Sequence, residues 1–225
     1  MSEADELRQL REAIKNFPDA VAVWGADGAL IACSDAYKRL GGAGQDEGTE
    51  SQTLDGRWLR RTVRRLEGGG RVELIGDLTE LRRAEQAARF LAYHDALTGL
   101  PNRRLLDDRL RQAIRLAQRR DRMVATMLVH LDDFRQADEP LREAAQRLSR
   151  CVRKADTLAR SGVNEFALVV SDLKDAEDSR IVAEKVVQAL APEFRVSIGI
   201  SIFPADGDDA EALLRNADAA RFRAR

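Results

Sequence analysis

The sequence predicts a mixed α/β (α+β) chain in two parts: a small antiparallel sheet with helices, then a second sheet surrounded by helices. Three observations carry that expectation. Up to residue 76, short alternating runs are separated by glycine turns; residues 77–93 read as one helix; and residues 94–225 alternate 3.6-period helices with apolar strands. The expected organisation is therefore a first domain at 1–76, a connecting helix at 77–93 and a second domain at 94–225.

The opening stretch "MSEADELRQLREAIKNF" is charged and helical. "AVAVWGADGALIACS" gives two strands around the Asp27-Gly28 turn, the strongest short hairpin signal in the chain. "DAYKRL" is a short helix and "GGAGQDEGTESQ" a glycine-rich polar loop. "RWLRRTVRRLEGGGRVELIGDL" is two strands joined at Gly68-Gly69-Gly70. In "DLTELRRAEQAARFLAY", Leu81, Ala84, Ala88 and Leu91 form one narrow apolar stripe. The stripe either pairs with its twin in a dimer or packs on its own domain, and pattern alone leaves both open. Beyond it, "RRLLDDRLRQAIRLAQRRD" places Leu105, Leu106, Leu110, Ile114 and Ala117 on one side of a helix. "VATMLVHL" is a buried strand, "EPLREAAQRLSRCV" a helix, "EFALVV" a strand, "AEDSRIVAEKVVQAL" a helix, "FRVSIGISIF" a strand and "DAEALLRNADAARFRAR" a closing helix.

Composition narrows the function classes. With 225 residues, 44% apolar, 33% charged and only 5% aromatic, the chain suits charged helices around modest cores. A net charge of −1 gives no global reason to expect nucleic acid or an anionic membrane as partner. No apolar run approaches the ~20 residues of a membrane span, so no membrane insertion is expected. The charged start is unlike a signal peptide. Cys33 and Cys151 lie far apart without metal-like spacing and are expected as reduced thiols of a cytoplasmic protein. Trp24, Trp58 and Tyr37 are expected in the core of the first domain. His94 and His130 both lie outside it, so no His-ligated haem is expected there.

Four separated blocks, "HDALTGLPNRR" (94–104), "VHLDDF" (129–134), "RKADTLARSGVNEF" (153–166) and "VSIGISIFPADGDDAEALLRNADAA" (196–220), resemble the GGDEF domain of diguanylate cyclases and their inactive relatives. The first half resembles an abbreviated PAS sensor domain, with "DGALIACSDAYKRL" and an exit ending in Asp77-Leu78-Thr79. The loop at 41–53 stands where PAS helices usually wall a ligand pocket. The resemblance implies a fold related to nucleotidyl cyclases. In it, two facing domains each hold GTP and metal ions and condense the nucleotides to cyclic di-GMP.

Several positions depart from that pattern. Against the family's Gly-Gly-Asp/Glu-Glu-Phe, the chain has Gly162-Val163-Asn164-Glu165-Phe166. Val163 puts a branched side chain beside the nucleotide, and Asn164 lacks the charge that binds metal. The first carboxylate of the family's Asp-x-Asp aligns with His130, while Asp132 is retained; hard Mg²⁺ prefers oxygen, so His130 reads as a tolerated replacement. After Phe134 the text passes almost directly to "ADEPLREAAQRL", omitting a guanine-binding loop. Asp138 aligns with a guanine-reading aspartate beyond it, and Arg225 stands where the family has a phosphate-contacting lysine. No catalytic residue and no resident metal or other cofactor is therefore expected, and Mg²⁺ enters only if GTP still binds.

One motif is intact. Arg153-Lys154-Ala155-Asp156 matches the family's Arg-x-x-Asp inhibitory site, with Arg160 on the same approach. An arginine fork suits a phosphate or the O6/N7 edge of guanine, and a carboxylate accepts from guanine donors. An Arg-x-x-Asp can equally be a surface ion pair. The expectation is a catalytically inactive signalling protein that responds to cyclic di-GMP through Arg153, Asp156 and Arg160, or serves as a regulatory interaction module. It is expected to form a homodimer through the PAS-like domain and linker helix and to meet a protein partner in a signalling pathway. The alternatives are an active diguanylate cyclase and a nucleotide-independent dimeric scaffold.

Overall fold

The computed structural model describes residues 2–40, 48, 50–132 and 137–224. Most of the 41–53 loop, the junction after Asp132 where the guanine-binding loop is omitted, and Arg225 lie outside the described residues. The chain divides into two compact units, Met1–Ala88 and Arg89–Arg225.

The first unit begins with α1 (Glu3–Lys15), capped by Ser2 and Asp5, each of which bonds the other's backbone. Its sheet is antiparallel, with strand order β2-β1-β5-β4-β3: β1 (Ala20–Trp24), β2 (Leu30–Cys33), β3 (Glu50–Gln52), β4 (Trp58–Arg65) and β5 (Arg71–Asp77). Helix α2 (Asp35–Leu40) lies on one face. The expected hairpins are present; β3, a three-residue polar strand, stands where the sequence predicts loop. The core is small: Ala20, Leu59 and Ile75, with Ala36, Tyr37 and Leu40 packed against them. Trp24 and Trp58 are only half-buried, each with an arginine over its ring, Arg71 at 4.7 Å and Arg82 at 5.7 Å. The 77–79 junction ties the sheet to the next helix, because Asp77 accepts from Thr79 N at 2.9 Å and Thr79 Oγ1 accepts from Trp58 N at 2.9 Å. Helix α3 (Thr79–Tyr93) buries only Thr79, and its stripe stays open, with Leu81 55% and Leu91 51% exposed.

The second unit contains α4 (Arg103–Arg120), β6 (Met123–Leu131), α5 (Asp138–Ser149), β7 (Thr157–Arg160), β8 (Glu165–Leu173), α6 (Glu177–Leu190), β9 (Val196–Phe203) and α7 (Ala210–Arg223). From β6 on, the order is β-α-β-β-α-β, and the strands pair antiparallel as β7-β8-β6-β9. The sheet is covered on both faces. Ala125, Met127, Val129, Phe166 and Leu168 meet α5 and α6, while Val124, Leu128, Ala167 and Val169 meet α4 and α7. That double cover is why "VATMLVHL" is apolar at nearly every position and not alternating.

Strand β9 is different. Its residues Ser197, Gly199, Ser201 and Phe203 are on the buried side, and Ser201 Oγ donates to Leu213 O at 2.7 Å. Small residues here let the α7 backbone come close. An added Cβ on Gly199 would stand 2.0 Å from Ala217 O and 2.3 Å from Arg221 N.

Candidate functional site

The turn between β7 and β8 is held by hydrogen bonds from both directions. Arg160 Nη1 bonds both oxygens of Asp95 at 3.1 and 3.0 Å, and its Nη2 donates to Val163 O at 2.8 Å. Asp95 belongs to the loop before α4, where it also accepts from Thr98 N and Oγ1 at 2.9 and 2.7 Å. Burial alone would raise the pKa of the Asp95 carboxyl. The Thr98 bonds and the Arg160 guanidinium outweigh it and hold the carboxyl below the usual aspartate value. Val163 stands at the tip with its side chain 58% exposed. Glu165 bonds Ser161 Oγ at 2.7 Å and lines a 580 Å³ groove with Arg103 and Arg111 of α4 and Arg215 and Arg221 of α7.

Asn164 and His130 come together. Asn164 Nδ2 donates to Leu131 O at 2.9 Å and lies 3.2 Å from His130 Nε2, while Leu131 N donates to Asn164 O at 3.0 Å. The carbonyl of Leu131 accepts only, which fixes the NH₂ on this side of the amide; His130 Nε2 is then the acceptor and Nδ1 carries the proton. Asp132 Oδ2 accepts from Ser197 Oγ at 2.7 Å. Among the described residues, His130 Nδ1 and Asp132 Oδ1 are buried without a hydrogen-bond partner.

The divalent cations that the fold implies need a shell of oxygen ligands, six for Mg²⁺. Asn164 turns its NH₂ group to the Leu131 carbonyl and His130 puts an imidazole where a carboxylate is expected, which leaves Asp132 and Glu165, each already bonded through one oxygen to a serine hydroxyl, as the acidic side chains here. That donor set does not fit them. Among the described residues, no group of three or more His, Cys, Asp or Glu side chains is placed to hold a metal.

Arg153 and Asp156 share a tight turn after α5. Asp156 N donates to Arg153 O at 3.0 Å, and the Asp156 carboxylate accepts from Arg153 N at 3.0 Å and from Ser171 N at 3.2 Å. The two side chains do not form an ion pair; the aspartate braces the turn and leaves the Arg153 side chain exposed. Two clefts flank this turn. One, of 350 Å³, is lined by Arg153, Asp156, Lys174, Asp178 and Lys185. The other, of 460 Å³, carries Arg109, Arg120, Arg122 and Lys154 beside Asp156 and Asp172. Of these cations, Arg122 is paired with Asp172 at 3.5 Å. The sequence pattern marks neither Lys185 nor Arg109 and Arg120: the two arginines stand eleven positions apart on α4, with Gln112, Ala113 and Leu116 between them on the side that faces the cleft.

The family model described as "Diguanylate cyclase, GGDEF domain" matches residues 92–225, more than half of the chain. Over 165 residues the chain is 39% identical to the bifunctional diguanylate cyclase/cyclic di-GMP phosphodiesterase MucR of Pseudomonas aeruginosa, covering 65% of this chain and 24% of MucR. It is 30% identical over 153 residues to the diguanylate cyclase TpbB of the same species, covering 60% of this chain and 35% of TpbB. The chain thus spans about a quarter to a third of the length of these curated relatives. A solved sensory box/GGDEF family protein from Caulobacter crescentus superposes with a TM-score of 0.56 at 34% identity, covering 59% of this chain and 97% of that one. The chain belongs to the diguanylate cyclase GGDEF-domain family.

Proposed function

We propose that the second unit is a catalytically inactive GGDEF domain that responds to cyclic di-GMP. The observation that carries the inactive reading is the Asn164 amide nitrogen, which bonds Leu131 O and faces His130 Nε2. It presents N–H donors where the condensation of two GTP needs cation-binding oxygens. The turn at Arg153 and Asp156 supports the ligand reading. The exposed Arg153 guanidinium is open to a phosphate or guanine edge, with Lys185 along the same cleft and Lys154, Arg109 and Arg120 in its neighbour. Arg160 enters this reading as the brace between Asp95 and the 161–164 turn. Residues 1–76 are proposed as a PAS-like sensor, a reading supported by their five-stranded antiparallel sheet and short helix.

Two measurements test the proposal together. Chromatographic analysis after incubation with GTP and Mg²⁺ is expected to show no cyclic di-GMP above a metal-free blank; accumulation of product overturns the inactive reading. Calorimetric titration with cyclic di-GMP is expected to give saturable binding that Arg153→Ala weakens by about tenfold or more. No heat with the wild-type protein, or unchanged affinity in the variant, overturns the ligand site.

The exposed stripe on α3 favours the dimer as a second element of this reading, since about half the surface of Leu81 and of Leu91 is left open. Light scattering of the full chain is expected to give twice the monomer mass, and the double variant Leu81→Glu/Leu91→Glu the monomer mass. A wild-type mass of one chain rules the dimer out.

A further inference from the structure

On the face of the first sheet that carries α2, one end is charged where a core would be apolar. Trp24 on β1 stands opposite Arg71 on β5, and Arg71 stands opposite Arg65 on β4. Like charges set directly across a ladder repel. Glu73, next along the same face, is 2% exposed and accepts from Arg71 Nε at 2.9 Å, Arg61 Nη2 at 2.6 Å and Tyr37 Oη at 2.7 Å. It holds Arg71 through Nε alone, with the guanidinium 4.7 Å from the centroid of the Trp24 ring. Among the described residues, both terminal NH₂ groups of Arg71 are left without an acceptor, and Arg65 has no acidic partner. The indole N–H of Trp24 is also buried without one. A cleft of 610 Å³ opens here, with Trp24, Leu30 and Cys33 on one side and Arg71 and Glu73 on the other.

We propose that this cleft binds a small aromatic monocarboxylate, its carboxylate on the terminal NH₂ groups of Arg71 and its ring against Trp24, Leu30 and Cys33. Each part of that ligand follows from a group present. The end of a guanidinium offers two N–H donors side by side in one plane, the fork that a carboxylate matches. Arg65, across the ladder, brings a second cation to the same anion. Glu73 limits the ligand to one negative charge, because a second would lie close to its buried carboxylate. The indole face and the leucine suit a flat apolar body. This inference names a ligand class for the sensor proposed at residues 1–76, and rests on that reading for its purpose.

The test uses the full chain with Trp58→Phe, which leaves Trp24 as the only tryptophan. Titration with phenylacetate is expected to change Trp24 emission saturably. Acetate has the charge without the ring, and benzyl alcohol the ring without the charge. Each is expected to bind at least about tenfold more weakly, and inorganic phosphate is expected not to displace phenylacetate. Arg71→Gln is expected to weaken phenylacetate about tenfold or more. Because Arg71 also braces Glu73, a second variant separates binding from folding. Leu30→Glu, at a residue 46% exposed, sets a negative charge in the wall and is expected to weaken binding similarly at an unchanged thermal midpoint. No saturable change, or unaltered affinity in both variants, overturns the site. Displacement by phosphate, or equal binding of acetate or benzyl alcohol, overturns the ligand class. Phenylacetate binding that leaves both the mass of the chain and its affinity for cyclic di-GMP unchanged overturns the sensor reading alone.

Discussion

Gly199→Ala is expected to unfold the second unit at ordinary temperature or to lower its calorimetric midpoint by about 10 °C, a loss of roughly 3 kcal/mol or more. The new methyl would meet Ala217 O at 2.0 Å, Arg221 N at 2.3 Å and Arg221 Cβ at 2.7 Å. Two of these are backbone atoms of α7, so no rotamer change relieves the contact. The helix must lift from the sheet, and Leu213 and Ala217, both fully buried, lift with it. The Ser201 bond to Leu213 O lengthens in the same movement. Both tryptophans, Trp24 and Trp58, lie in the first unit, so their fluorescence is expected to report an unchanged first transition in the same variant. A Gly199→Ala protein with the wild-type midpoint would mean that α7 does not sit on β9 as described.

The second large effect is an acid transition in the first unit centred on Glu73. This carboxylate is 2% exposed, and burial alone would push its pKa up. Hydrogen bonds from Arg71 Nε at 2.9 Å, Tyr37 Oη at 2.7 Å and Arg61 Nη2 at 2.6 Å win, and bring it down to about 2. The Tyr37 hydroxyl moves the other way, to about 12, through burial and its bond to the same carboxylate. The folded pKa of Glu73 lies below its unfolded value of 4.5, so the stabilisation is complete above that value. It is lost as pH falls from about 4.5 toward 2, by an amount on the order of 3 kcal/mol. Urea unfolding followed by tryptophan fluorescence at pH 7, 4 and 2.5 measures it. Glu73→Gln is expected to flatten that pH dependence and to cost about 3 kcal/mol at pH 7, by leaving two guanidinium groups without their shared anion. A variant that keeps the wild-type acid transition would assign it to other carboxylates.

Much of the fold was legible because its signals are local. The Asp27-Gly28 turn, the Gly68–Gly70 link and the stripe of Leu106, Leu110, Ile114 and Ala117 each encode their element within a few residues. Strands β3 and β7 were not legible. Glu50–Gln52 is polar and three residues long, and Thr157–Arg160 follows a turn too closely to show a period. The candidate site was legible as a set of positions, not as contacts. Arg153 and Asp156 suggested a facing pair, whereas the aspartate binds two backbone amides, one of them fifteen residues away on β8. Arg160 suggested a ligand contact, and its guanidinium is engaged by Asp95, 65 positions earlier. His130 read as an isolated replacement because its partner Asn164 is 34 positions distant.

The strand order of the second sheet has a consequence during synthesis. Strand β6 is central, with Leu131 opposite Val196 and Val124 opposite Phe203 on β9, partners that lie roughly 65–80 positions further along the chain. At ribosomal speeds, the last of them emerges roughly 4–15 s after β6 itself. Throughout that interval a nine-residue apolar ribbon, complete in sequence, lacks its final neighbour and carries an unsatisfied edge. Until β9 arrives, that edge of β6 is open to pairing with any other extended segment.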